Sequence, residues 1–141
     1  LSSTVSHTTA LTSPHRGAMP HIGRAAVAAG VIAACATTAT AGLARAAGLG
    51  VAVGGEPIPL YAFAQLTLID AVIGAALAAV LARRTRSPQQ TFVRVAAALT
   101  ALSLVPDVVV DATAGTKVTL AATHLIAAAI IVPVVARRPA R

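Results

Sequence analysis

LYAFAQLTLIDAVIGAALAAVLA, Leu60 to Ala82, is a run of apolar residues broken by one charge, Asp70. At about 1.5 Å per residue an α-helix of this length spans the ~30 Å of a bilayer's hydrocarbon core. The apolar residues do not alternate with a period of two, so a helix is expected rather than a barrel strand. Three further segments have the same character: Arg24–Ala44, Val93–Val110 and Val118–Ala136. Breakers separate them. Gly54, Gly55, Pro57 and Pro59 precede the second span, RRTRSPQQ follows it, and DATAGTK makes a tight turn before the fourth, with Gly115 as a helix stop. The expected fold is all-α, an integral membrane four-helix bundle running up-down-up-down over residues 24–138.

Composition points the same way. The chain is 57% hydrophobic and 11% charged, with a mean hydropathy of +0.82. A soluble domain of 141 residues needs a larger polar surface than that. The net charge of +7 raises nucleic acid as a partner. However, the arginines stand in short clusters between apolar runs, and no basic helix is interleaved with aromatics for stacking on bases. The charges are instead topogenic. Arg16, Arg24, Arg83, Arg84, Arg86, Arg94, Arg137, Arg138 and Arg141 fall on one side of a four-pass arrangement, and only Arg45 and Lys117 on the other. That asymmetry predicts a multi-pass protein of the cytoplasmic membrane with both termini inside.

The first span is the poorest in large apolar residues, and three readings compete for it. It is an anchor helix, a cleaved signal peptide, or a lipoprotein signal ending at Cys35 in IAAC, the last with translation starting at Met19. The anchor is favoured because three more spans follow. Residues 1–23 read as a disordered polar tail, with Met19 as an alternative start, and residues 139–141 as a short cytoplasmic end. His7, His15 and His21 lie in or beside the tail, at spacings that match no compact metal site. A single cysteine permits no internal disulfide.

Ionisable groups within spans are costly and need a reason. In the third span Thr100, Ser103, Asp107 and Asp111 recur at i, i+3, i+7 and i+11 and share one helix face, which should turn towards the bundle. With Asp70 near mid-membrane and His124 on the fourth span, the candidate polar cluster is Asp70, Ser103, Asp107 and His124. At the outer face Arg45, Asp111 and Lys117 are the candidates for ion pairs joining the first, third and fourth helices. Thr116, Thr119 and Thr123 share a face suited to packing and interhelical hydrogen bonds. No ligand spacing marks a metal or cofactor site, and none is expected. Ser103 and His124 lack the strand–turn–helix setting of a hydrolase nucleophile.

Ser103-Leu-Val-Pro106, Thr113-Ala-Gly-Thr-Lys117, His124-Leu125 and Ile131-Val-Pro133 together resemble a family of small four-pass membrane proteins of high-GC bacteria known as a domain of unknown function. The resemblance covers about residues 24–138 and implies four helices without implying an activity. A methionine often precedes the histidine in that pattern, where this chain has Thr123, and Asp107 and Asp111 depart from it. His124, Thr113 and Thr116 are therefore the residues the resemblance singles out. The functional expectation is a non-enzymatic accessory or interaction component of the membrane, meeting lipid and either a second copy or another membrane protein, and no nucleic acid. The alternative is a small proton- or cation-coupled transporter or ligand-binding protein using Asp70 and His124. A membrane-embedded enzyme comes third.

Overall fold

The computed structural model describes residues 19–137. Of the expected tail over residues 1–23, residues 1–18 lie outside them, as does the end at 139–141, whereas residues 19–23 are helical rather than part of a tail. Four long helices dominate: α1 (Met19–Ala46), α2 (Leu60–Arg84), α3 (Pro88–Val109) and α4 (Ala114–Ala136). All four are long and apolar enough to cross a membrane. They form a ring in sequence order, with α1 packed along α4 and α2, and α3 opposite α1 against the same two helices. α2 and α4 also touch across the short diagonal.

Three helices begin earlier than hydropathy alone suggests. α1 is already helical at Met19, the first described residue, rather than from Arg24. α3 starts at Pro88 rather than Val93, with proline at the first position. α4 starts at Ala114 rather than Val118, because the Thr113 hydroxyl accepts the Thr116 N–H at 3.2 Å and caps the helix. Gly115, expected as a stop, therefore lies inside the first turn of α4, and a Cβ there would lie 3.0 Å from Leu49. Pro106 and Pro133 sit within α3 and α4 without ending them.

Packing in α1 is inverted relative to a soluble helix. Its alanines and one threonine (Ala33, Ala34, Thr37, Ala41) are buried, whereas Val27, Ile32 and Leu43 are exposed to the surroundings. In lipid there is no gain in hiding large apolar side chains from the solvent, so small residues take the interfaces, where they let backbones approach. Gly30 shows how closely: a Cβ added to it would lie 3.0 Å from that of Ala71 on α2. One turn pair further along, the Thr37 and Thr67 hydroxyls hydrogen-bond at 3.0 Å across the same seam. α1 thus packs on two neighbours, α2 and α4, and Cys35 is an exposed residue in its interior.

The α1–α2 connection closes one end of the bundle. α1 terminates in a Schellman motif, with Gly48 at φ 77°, Leu49 N–H to Ala44 C=O at 2.9 Å and Gly48 N–H to Arg45 C=O at 3.0 Å. A two-stranded antiparallel hairpin follows, β1 (Ala52–Val53) and β2 (Glu56–Pro57). Its two-residue turn is Gly54-Gly55, at φ 57° and 85°, the left-handed pair that a type I′ turn requires. Below the hairpin Val51 packs with Ala41, Ala44 and Phe63 in a small apolar cluster.

Candidate functional site

The face expected of α3 is the one that turns inward. Thr100 and Ser103 are half-buried and Asp107 is 7% exposed, whereas Leu102 points away from the bundle and Leu99, half exposed, stands at its edge. Asp111 lies beyond the end of α3 and is exposed. The Ser103 hydroxyl donates to the Thr100 carbonyl at 2.7 Å and is committed to its own helix.

Across from this face, α4 presents His124. Its Nδ1 lies 3.0 Å from the Leu120 carbonyl and 2.9 Å from Asp107 Oδ2. A carbonyl oxygen can only accept, so Nδ1 carries a proton, and in the neutral ring Nε2 is the free acceptor. That N–H is directed at Leu120. Asp107 Oδ2 approaches from the side and accepts no hydrogen bond among the described residues. The contact is thus one of charge and proximity between a buried carboxylate and an imidazole rather than an aligned hydrogen bond.

Asp70 comes from α2, about 15 Å along the helix from Leu60. It is exposed rather than sealed into the bundle. With His124 it lines two cavities. The larger, of about 170 Å³, lies between α2, α3 and α4, and its polar lining is Asp70, Thr100, Ser103 and His124 among apolar walls such as Leu77, Phe92 and Ile131. The smaller, of about 130 Å³, lies between α2 and α4 around Phe63, Thr67, Leu120 and Thr123. Asp70 makes no ion pair or hydrogen bond among the described residues; the one ion pair there is His124–Asp107. The four residues read from the sequence as a polar cluster are therefore drawn to one place. Asp70, Ser103 and His124 face the larger cavity, and Asp107 reaches it only through His124. Thr100, read only as part of the stripe, joins the lining. Among the described residues no three His, Cys, Asp or Glu side chains are grouped to hold a metal ion.

The outer trio is arranged differently from expectation. Arg45, Asp111 and Lys117 form no ion pair with one another among the described residues. Lys117 Nζ donates instead to the Val108 carbonyl at 2.7 Å, where the end of α3 offers unpaired carbonyls and the negative end of its dipole. The Asp111 backbone carbonyl accepts the Gly54 N–H at 2.9 Å and so holds the hairpin. Arg45 Nη2 is buried without a hydrogen-bond partner among the described residues. The threonine face of α4 is buried as expected, but not all of its hydrogen bonds cross helices: Thr119 and Thr123 donate to Gly115 and Leu120 of their own helix. Only Thr116 reaches another element, donating to the Gly50 carbonyl and standing 3.4 Å from the Ala52 N–H.

Four apolar spans around an internal polar group define a multi-pass integral membrane protein. The chain belongs to the family of unknown function DUF6069, which matches it over residues 17–141. No curated protein matches it, and neither does any solved structure.

Proposed function

We propose that the protein is a non-enzymatic component of the cytoplasmic membrane, termini inside, that works by binding within the α2–α3–α4 cavity. The observation that carries this reading is the cavity of about 170 Å³ whose polar lining gathers Asp70 and His124. The site's hydroxyl does not support catalysis by nucleophilic attack. Ser103 donates to Thr100 rather than to His124, which supports the non-enzymatic reading. The longest connection, residues 47–59, folds back as a hairpin on the bundle and provides no separate catalytic face. The arginine asymmetry supports the inward termini.

Two measurements test the reading. A serine-reactive fluorophosphonate should leave Ser103 unmodified in the purified protein, and stoichiometric labelling would make the protein a hydrolase. Ligand panels scored by thermal stabilisation in nanodiscs should yield hits that Gly74→Leu abolishes. Gly74 lines the cavity, and a Cβ there meets nothing within 4 Å, so the larger side chain fills the space. A coupled transporter is the second reading, favoured because the two cavities meet at Asp70 and His124. Uptake into liposomes driven by a pH gradient and lost in Asp70→Asn would establish it.

A further inference from the structure

We infer that the α2–α3–α4 cavity takes a small lipophilic ammonium ion, with the cationic nitrogen at Asp70 and an apolar body among Leu77, Phe92 and Ile131. The inference rests on the reading of this cavity as a binding site and adds the class of its occupant. Three independent features fix that class.

The first is charge. Asp70 is a carboxyl group deep in a span, on the wall of two cavities and without a partner among the described residues. The other carboxylate nearby, Asp107, is already set against His124 at 2.9 Å. His124 is thereby occupied, and Asp70 is left as the group whose charge a ligand would complement. A cation is the complement of the ionised carboxylate, because it alone supplies the opposite charge that offsets its desolvation.

The second feature is access. Ile73 and Leu99 line the cavity, yet both are about half exposed on the outer surface of the bundle. The cavity therefore opens sideways between α2 and α3, the less closely packed side of the ring. An occupant enters from the bilayer, which requires it to partition there. A hydrated metal ion does not, and a phospholipid's headgroup amine does not reach a group about 15 Å from the helix end. The third is size. An apolar cavity of about 150 Å³ holds a single benzene ring, so about 170 Å³ accommodates one ring or a short branched alkyl body bearing the nitrogen.

The probe is phenyltrimethylammonium, and its control is tert-butylbenzene, the same shape with carbon in place of the charged nitrogen. Equilibrium binding of the radiolabelled cation is measured on the full chain in proteoliposomes against protein-free liposomes. The parent should bind saturably at one site per chain. Asp70→Asn should weaken binding by about tenfold or more, the yield of one charge-assisted contact. Leu102→Ala, outside the cavity on the exposed side of α3, should leave it within about threefold. Gly74→Leu, which keeps the carboxyl and fills the cavity, should abolish it, and circular dichroism and size exclusion establish that each variant is folded. If tert-butylbenzene displaces the cation as well as unlabelled cation does, or if folded Asp70→Asn binds like the parent, the cavity binds apolar bodies and the ammonium assignment is overturned while the binding-site reading stands. Absence of saturable binding of both probes to the parent overturns both.

Discussion

Thr116→Val tests how the hairpin end of the bundle is held. The Thr116 side chain is 0% exposed and stands where α4 begins. Its hydroxyl donates to the Gly50 carbonyl, lies 3.1 Å from the Thr113 hydroxyl and 3.4 Å from the Ala52 N–H. Valine has nearly the same shape but no hydroxyl, so the substitution leaves packing in place and strips the Gly50 carbonyl of this donor. Losing one such bond at a buried acceptor costs about 1–3 kcal/mol. The link is local, so the cost should appear as easier opening of residues 50–58 rather than as global unfolding. Amide hydrogen exchange in nanodiscs reads this directly. The Gly54 and Ile58 amides, bonded to Asp111 and Val51 carbonyls, should lose protection by roughly tenfold to a hundredfold. Amides in the middle of α2 and α3 should not change. Unchanged exchange at Gly54 and Ile58 would mean that the threonine does not hold the hairpin, and an equal loss through all four helices would mean that the effect is not local.

Gly30→Ala should destabilise the protein by about 1–3 kcal/mol in thermal unfolding because its Cβ meets Ala71 at 3.0 Å; Gly42→Ala, with nothing within 4 Å, should be neutral or stabilising by up to about 1 kcal/mol. On a Cys35→Ala background, cysteines at Thr100 and Ser103 should react more slowly with membrane-dissolved maleimides than cysteines at Leu99 and Leu102, and the reverse order would remove the inward polar face of α3. Reporter fusions after Arg141 and within residues 48–56 should report opposite sides of the membrane, with the former cytoplasmic; the same side for both contradicts a four-pass topology. Asp70→Leu should melt no lower than the parent, whereas Asp107→Leu should melt several degrees lower, because it leaves His124 without its carboxylate. A destabilised Asp70→Leu would show that Asp70 has a structural partner.

The spans were legible because charge is scarce: a run such as Leu60–Ala82 admits one interpretation once its length is compared with a bilayer. The inward face of α3 was legible for an equally local reason, since helical spacing places Thr100, Ser103 and Asp107 together whatever lies opposite. Helix starts were less so. Hydropathy registers the first large apolar residue, whereas Pro88 and Thr113 set the starts of α3 and α4 by removing or satisfying backbone N–H groups. The hairpin was written as Gly54-Gly55 between short apolar segments, a turn signal read only as a breaker. Contacts between distant residues were not legible in detail. Lys117 is four residues from Thr113 and six from Asp111, yet it bonds the carbonyl of Val108, because the end of α3 supplies an acceptor that sequence spacing does not reveal. Likewise, whether Asp70 faced a helix or a cavity depended on how closely α2 and α3 pack.

The two intramembrane aspartates pose different problems. Each places an ionisable group where insertion costs roughly 2.5–3.5 kcal/mol near a helix centre. Asp107 lies one turn from the end of α3, is buried, and has the imidazole of His124 at 2.9 Å. An imidazolium at that distance would offset its cost, and the contact joins α3 to α4. Asp70 has no such contact. The seam between α1 and α2 is already made by Gly30 against Ala71 and by Thr37 against Thr67, and the Thr67 side chain lies one turn before Asp70 on the buried face while Asp70 lies on an open one. Packing therefore accounts for α2 without Asp70. What Asp70 adds is a carboxyl group on the wall of a space with a lateral opening, beside a histidine whose Nδ1 is turned to other acceptors. A group that makes no ion pair or hydrogen bond among the described residues, and that lines a space open towards the bilayer, is what the proposed ammonium occupant would account for.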